Sequence, residues 1–348
     1  MAEKARSLFP YLLALVLGGI GGALFFWIGT PLPWMMGAMF ATTCAALARA
    51  PIKASTGLRS AFIVVLGVLL GSTFSPGMID AVGQWSVSLA AMIGYVIAVG
   101  FLLCFLMMRV TGYDRATCYF STAPGGLSEM IIIGGAMGGN ERVISLVHSA
   151  RILFVVFSLP FFFDYTQESY RAAAAAVGHG GPDVRDVLIL AGAGICGAIL
   201  FLLLRVPAAQ LLGPMLFSAA VHLMGWTDAA PPTALVAIAQ IVIGSTIGAR
   251  FVGIEWREVV HPVGMALVLT IVMIAASAGF AWILQPLVGA PFDALWLAFS
   301  PGGVAEMSLI ALALHLDPAF VATHHVFRIL MVILLAPLAY RIAFTRRT

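Results

Sequence analysis

An eight-residue motif that combines a helix break with a carboxylate occurs twice in an apolar chain. It reads APGGLSEM at residues 123–130 and SPGGVAEM at residues 300–307. Proline lacks a backbone N–H and glycine is a poor helix former, so each break frees backbone donors and acceptors. Freed N–H groups at a half-helix N-terminus suit anions, and freed carbonyls suit cations. The motif predicts two solute- or ion-binding elements, which comprise Pro124, Gly125, Gly126, Ser128, Pro301, Gly302 and Gly303.

An acidic residue follows each pair of glycines by three positions. Glu129 and Glu306 both lie within apolar segments. An ionised carboxylate at such depth is unfavourable by several kcal/mol unless it is paired. Two interpretations stay open: each glutamate handles a solute or a proton, or each has a structural role as a helix cap or as the partner of an arginine.

Two histidine–arginine pairs also lie within apolar runs. His148 precedes Arg151 by three positions, and His325 precedes Arg328 by three. Residues at this spacing share one face of a helix, and side chains this deep in an apolar run need partners. One interpretation is a Glu–His–Arg cluster in each half of the chain. The other is that both arginines bind a carboxylate or phosphate of a solute, which the planar guanidinium suits.

The composition indicates a membrane protein. Of 348 residues, 61% are hydrophobic and only 9% are charged. Polar surface could not cover such a chain in water, so the sequence predicts an all-α polytopic fold with the bilayer as its solvent. The net charge of +3, without a soluble basic segment, predicts no direct contact with nucleic acid. We expect no metal, cofactor or enzymatic activity, because no metal-ligand spacing or nucleotide-binding fingerprint occurs.

The two halves of the sequence repeat each other at one spacing. Residues of the same type recur 177 positions apart in many pairs, among them Gly67 and Gly244, Gly71 and Gly248, Pro124 and Pro301, Glu129 and Glu306, His148 and His325, and Arg151 and Arg328. The spacing predicts a tandem duplication. Its parts are a first membrane repeat at residues 8–163, a polar linker at 164–186 and a second membrane repeat at 187–343.

The placement of lysine and arginine predicts that the second repeat is inverted. With a cytoplasmic N-terminus, basic residues fall on the inner side in both halves only if each repeat crosses the membrane an odd number of times. Each arm beside a break is about 12–18 Å long as a helix, half of a ~30 Å hydrocarbon core. We therefore predict about ten transmembrane helices plus two re-entrant PGG hairpins. The alternative is twelve crossings, in which the PGG segments are broken helices that span.

The doubled P-G-G-x-x-E-M, together with LLGPML at residues 211–216, resembles the bacterial AbrB-duplication family of membrane proteins. The resemblance covers almost the whole chain. Labels in that family refer to a transcriptional regulator and to an ammonia monooxygenase, and they imply a link to gene expression for some members. The halves are not identical, because WMMGAMF at residues 34–40 has no counterpart of Pro214.

Inverted repeats, two broken elements and paired intramembrane charges together predict a secondary transporter of the bacterial inner membrane. A small anionic or zwitterionic solute is expected to bind between the two breaks, coupled to a proton or another cation. One alternative is a membrane sensor that affects gene expression indirectly; a channel and a copper or iron monooxygenase are weaker ones. Expected partners are the solute, the lipid bilayer and, by analogy with other transporters, a second copy of the chain.

Overall fold

Helices account for all the regular secondary structure in the part of the chain that is described. The structure is a computed structural model that describes residues 2–74, 85–163 and 183–344. The predicted linker therefore lies outside the described residues, except for the few residues that open α8. The helices are α1 (Ala2–Ile28), α2 (Pro33–Leu47), α3 (Thr56–Gly71), α4 (Ser86–Val110), α5 (Arg115–Thr122), α6 (Leu127–Ala136), α7 (Glu141–Ser158), α8 (Val184–Leu203), α9 (Ala209–Leu223), α10 (Thr233–Gly248), α11 (Trp256–Val288), α12 (Phe292–Phe299), α13 (Val304–Ala313) and α14 (Pro318–Phe344).

The fold is that of an all-α polytopic membrane protein, as the composition predicted. Within the described residues, seven helices are long and apolar enough to cross a bilayer, namely Leu8–Ile28, Ser86–Val110, Glu141–Phe162, Val184–Leu203, Thr233–Phe251, Val260–Val288 and Pro318–Phe344. In α1, Leu12, Val16, Ile20 and Leu24 are each more than half exposed at a spacing of four. Such a stripe is a lipid-facing surface, because water would not tolerate it. Helices α2, α3 and α9 have 15, 16 and 15 residues, and the count of ten crossings stays a prediction.

The helix boundaries recur at the spacing of the sequence repeat. Helices α3, α5 and α6 begin and end 177 positions before α10, α12 and α13, and α7 begins 177 positions before α14. The sequence therefore breaks its helices at corresponding places in both halves.

The chain divides into two compact units, each of which contains helices from both halves. The first unit contains α1–α3, α8–α10 and the end of α13, and glycine at the contacts lets its helices approach closely. A Cβ on Gly21 of α1 would overlap the carbonyl of Gly37 on α2. The equivalent contact in the second half joins Gly197 of α8 to Gly213 of α9. These positions must be glycine because backbone, rather than side chain, lies opposite.

Contacts in the first unit also fix the directions of its helices. Gly67 of α3 lies against Leu211 and Gly71 lies against Ser218, so α3 and α9 run the same way. A hydrogen bond of 2.8 Å from Ser218 Oγ to the Val68 carbonyl reinforces this pair. The related glycines of the second half behave alike, with Gly244 against Met35 and Gly248 against Thr42. Helices α10 and α2 therefore also run the same way.

Replacing Gly21 with alanine is expected to destabilise the first unit by about 1–3 kcal/mol, the usual effect of an extra methyl group in a filled contact. The measurement is thermal or denaturant unfolding in detergent micelles. Gly19 is the matched control, because it lies on the same helix and has no atom within 4 Å of an added Cβ. Equal effects of Gly21→Ala and Gly19→Ala would show that the close contact does not determine stability.

The second unit contains α4–α7, α11, α12, the start of α13 and nearly all of α14. Helix α14 packs against α5, where the Phe120 and Tyr340 ring centroids lie 5.4 Å apart. Helix α12 is held to α11 by a hydrogen bond of 3.2 Å from Trp296 Nε1 to the Ile274 carbonyl. Both PGG segments and both histidine–arginine pairs belong to this unit.

Candidate functional site

The first PGG segment is the tip of a helical hairpin. Helix α5 ends at Thr122, and α6 begins at Leu127 after Gly126, whose backbone is extended (φ −66°, ψ 140°). Gly134 of α6 lies against Phe120 of α5, and Gly139 lies against the backbone of Thr117. The two short helices are therefore antiparallel.

The open end of this hairpin is closed by hydrogen bonds. Asp114 caps α5 by accepting the Thr117 N–H at 2.8 Å, and it also accepts the Thr117 hydroxyl. The same hydroxyl oxygen accepts the Asn140 N–H at 2.7 Å. Residues that enter and leave the hairpin are thus tied side by side.

The second PGG segment interrupts the chain in the corresponding way. Helix α12 ends at Phe299, and the backbone of Ser300 is extended (φ −66°, ψ 152°) before α13 begins at Val304. Pro301 and Gly302 are buried, as are Pro124 and Gly125 of the first break. Both breaks are therefore enclosed by protein, which is where irregular backbone can persist in a membrane.

A histidine and an arginine hold the chain ahead of the first break. His148 Nε2 donates to the Phe120 carbonyl at 2.8 Å. Arg151 donates to His148 Nδ1 at 2.9 Å and to the Ala123 carbonyl at 3.4 Å. The acceptors at the end of α5 are carbonyls that the helix leaves without a partner when it stops.

The second pair makes the same contacts 177 positions later in the sequence. His325 Nε2 donates to the Leu297 carbonyl at 3.0 Å. Arg328 donates to His325 Nδ1 at 3.0 Å and to the Ser300 carbonyl at 2.6 Å. Arg328 makes one more bond, of 2.7 Å, to the carbonyl of Gly302 within the break.

The protonation of both histidines follows from these partners. A carbonyl oxygen can only accept, so Nε2 must carry the proton; a guanidinium can only donate, so Nδ1 must be unprotonated. His148 and His325 are therefore neutral Nε2–H tautomers. Neither ring can take a second proton unless it gives up its bond from the arginine.

The expected Glu–His–Arg cluster is replaced by a carbonyl–His–Arg arrangement. Among the described residues, the hydrogen-bond partners of both guanidinium groups are carbonyls and histidines rather than carboxylates. The physical reason is that a helix end offers unpartnered carbonyls close by. A carboxylate on the helix that follows the break would have to reach back across the break to contact the arginine.

The glutamates instead lie at the starts of the helices that follow the breaks. The Glu129 carboxylate folds back onto Gly126, and that of Glu306 folds back onto Gly303. A negative charge in the first turn is stabilised by the helix dipole. Glu306 is 4% exposed and Glu129 is half-buried, whereas the Ser128 side chain is exposed. Ser128 is thus the one predicted site residue that points away from the buried groups.

The two arginines form a buried positive centre. Arg151 is 5% exposed and Arg328 is 2% exposed. They are close enough to interact electrostatically with one another. Each Nε is buried without a hydrogen-bond partner. Two like charges are thus buried close together, and burial of unpaired charge is unfavourable.

Tyr95 of α4 belongs to the same centre, although it was not among the residues predicted from the sequence. Its ring packs edge-on against Phe299 and obliquely against Phe280, with ring centroids 5.2 Å away in both contacts. Its hydroxyl lies near both arginines and near Ser277, and its oxygen is buried with no partner at hydrogen-bonding distance. The repeat gave no signal for it, because Val272 stands 177 positions later. A lone tyrosine in an apolar run was the available clue.

The fold and the breaks define a class: an all-α polytopic membrane protein with two interrupted helical elements. A profile of one family, described as transition state regulatory protein AbrB, matches residues 34–344. The chain belongs to this AbrB family, as the doubled motif indicated.

Two relatives match most of the chain. It is 30% identical over 370 residues to a Bacillus subtilis (strain 168) protein named "Uncharacterized protein YhjN", covering 98% of this chain and 94% of that protein. It is 25% identical over 291 residues to an Escherichia coli (strain K12) protein named "Putative regulator AbrB", covering 80% of this chain and 81% of that protein.

Proposed function

We propose that this protein is a secondary transporter of a small anionic solute, which binds in the second unit beside the two breaks. The observation that carries the proposal is the buried pair of Arg151 and Arg328, whose partners in the described structure are carbonyls and neutral histidines. A buried charge without a counter-ion is strongly unfavourable, so an anionic ligand would stabilise this pair of arginines. The tyrosine hydroxyl and the positive starts of α6 and α13 add to its stabilisation.

The helix directions of the first unit support inverted repeats, a common architecture of such transporters. Helices α1 and α2 are antiparallel, since Gly22 of α1 lies against Trp34 and Gly21 lies against Ala41. The Lys53 N–H donates to the Pro10 carbonyl at 3.1 Å, so α3 starts at the same end as α1. Helix α3 then runs along α1, opposite to α2.

The second half has the reverse pattern. Its second helix, α9, follows the direction of α3, and its third helix, α10, follows the direction of α2. Each therefore runs opposite to its counterpart in the first half. The hairpin of α5 and α6, closed at Asn140 and Thr117, further supports a re-entrant element rather than a spanning one. We infer ten crossings and two hairpins in the bacterial inner membrane, with a cytoplasmic N-terminus.

The proposal also bears on coupling. His148 and His325 are occupied by arginine and carbonyl partners, so they are poor carriers of a coupled proton. Glu129 and Glu306, which lie at the helix starts, remain as groups that could exchange a proton or bind a cation. The proposal contains no catalytic step.

Flux into proteoliposomes tests the proposal. Purified protein would be reconstituted and assayed for saturable uptake of labelled acetate, succinate, phosphate and sulfate, and for binding of the same anions by thermal shift. We expect at least one oxyanion both to bind and to cross, with competition from the unlabelled form. If no member of the panel binds or crosses, the proposed solute class is wrong.

A second candidate is a membrane sensor that uses the same site to report on a ligand. The name of the Escherichia coli relative favours it, because that protein is called a regulator. Saturable binding of an oxyanion without flux, in vesicles that are shown to be sealed, would favour the sensor over the transporter.

A further inference from the structure

We propose that the two arginines have unlike roles: Arg151, with Tyr95, binds the oxyanion, whereas Arg328 is a positioning residue that holds the second break. The inference rests on the proposed function and deepens it, by naming which atoms contact the solute. The ligand chemistry is an oxyanion, either a carboxylate or a phosphate, because both match a guanidinium fork beside a hydroxyl donor.

Two of the three hydrogen bonds of Arg328 go to backbone carbonyls. Its Nη1 donates to the Ser300 carbonyl at 2.6 Å, and its Nη2 donates to the Gly302 carbonyl at 2.7 Å. These two carbonyls lie on either side of Pro301, so the fork bridges the break itself. Nη2 also donates to His325 Nδ1 at 3.0 Å. A solute that engaged this fork would leave buried carbonyls unsatisfied.

Arg151 makes fewer and longer hydrogen bonds to the backbone. Its one short bond goes to His148 Nδ1 at 2.9 Å, and its contact with the Ala123 carbonyl, the counterpart of Ser300, is 3.4 Å long. In the described structure, Arg151 has no hydrogen bond to the Gly125 carbonyl, whereas Arg328 has one to the carbonyl of Gly302, the counterpart of Gly125. A guanidinium has five N–H groups, so the two hydrogen bonds of Arg151 leave three N–H groups, including the unpartnered Nε.

The residues that surround the two breaks also differ. Gly125 is packed against Met130 and against Val332 of α14, one turn beyond Arg328, whereas the Gly302 carbonyl accepts a hydrogen bond from Arg328. The Tyr95 hydroxyl, which lies near both guanidinium groups, has no counterpart in the other half because Val272 stands at that position. At the two breaks, the described donor atoms without a partner are therefore the Tyr95 hydroxyl and the Nε of both arginines, and Arg151 makes one hydrogen bond fewer than Arg328.

Arginine-specific modification tests the assignment even while the solute is unidentified. The purified full-length protein would be treated with phenylglyoxal, and the modification of each arginine would be followed by peptide mass spectrometry. We expect Arg151 to react several-fold faster than Arg328. We also expect at least one of acetate, succinate, phosphate and sulfate to slow the reaction at Arg151 in a saturable way. Arg142, exposed on the same helix, is the control that should be unaffected.

Tyr95→Phe gives the second readout. The anion concentration that protects Arg151 should rise about 3- to 10-fold, measured relative to the variant's own rate without anion, as expected for one lost hydrogen bond. Equal or faster reaction of Arg328, protection at Arg328 alone, or no protection by any anion would overturn the assignment. Protection of Arg151 without flux in sealed vesicles would instead refute transport and leave the assignment intact.

Discussion

Replacing Arg151 with glutamine is expected to weaken oxyanion binding about 10- to 100-fold, the range for a lost charge-assisted hydrogen bond, and to abolish saturable flux. The fold should persist. Arg151 makes one short hydrogen bond and repels Arg328, so its removal loses little and relieves a buried like-charge interaction. We therefore expect the melting temperature of the variant without ligand to be unchanged or raised.

Two measurements check this result, namely anion-dependent thermal shift and proteoliposome uptake. Arg142→Gln is the matched control, because Arg142 is exposed near the start of the same helix and should leave both unchanged. Arg151→Lys keeps the charge but loses the planar fork, so its affinity should lie between the wild type and Arg151→Gln. Normal anion binding by Arg151→Gln would contradict the proposed site.

Replacing Arg328 with glutamine is expected to lower the unfolding free energy by about 2–4 kcal/mol, since buried carbonyls are left unsatisfied. The acceptors concerned are the carbonyls of Ser300 and Gly302 and the Nδ1 atom of His325. The shorter amide cannot span both sides of Pro301. Denaturant unfolding in detergent measures the loss.

Arg341→Gln provides the control, because Arg341 is exposed on the same helix. It should unfold like the wild type. The comparison between the two buried arginines is more informative. Arg328→Gln should be the less stable of the two variants. Arg151→Gln should lose more anion affinity than its small change in stability would explain. Equal losses of stability in both variants would mean that the two arginines share one structural role.

The sequence was informative wherever the duplication repeated a chemical group. The spacing of 177 positions located both breaks and both histidine–arginine pairs, and the helix boundaries follow the same spacing. A break after Pro124 or Pro301 is a local property, because a missing N–H disrupts the helix wherever it occurs. These features are therefore predictable without the tertiary structure.

The partners of the buried charges were not predictable in the same way. Arg151 and Arg328 select carbonyls at the ends of α5 and α12, and a backbone acceptor leaves no residue type in the sequence to recognise. Glu129 lies at the third position after the helix cap, which indicates dipole stabilisation once the helix start is known. Tyr95 could not be found by symmetry, since the packing of α4 brings it to the site in one half of the chain alone.

The most direct test of the account is the sidedness of two equivalent positions, Asn140 and Asp317. Both precede a helix that begins 177 positions from its counterpart, and both side chains accept hydrogen bonds from its first turn. Single cysteines at each position, in a cysteine-free background, would be labelled with an impermeant maleimide in inside-out and right-side-out vesicles. Inverted repeats with re-entrant hairpins predict labelling of Asn140→Cys from the cytoplasmic side and of Asp317→Cys from the opposite side. Labelling of both from the same side would show that the repeats are parallel and would contradict a solute site built from two opposed breaks.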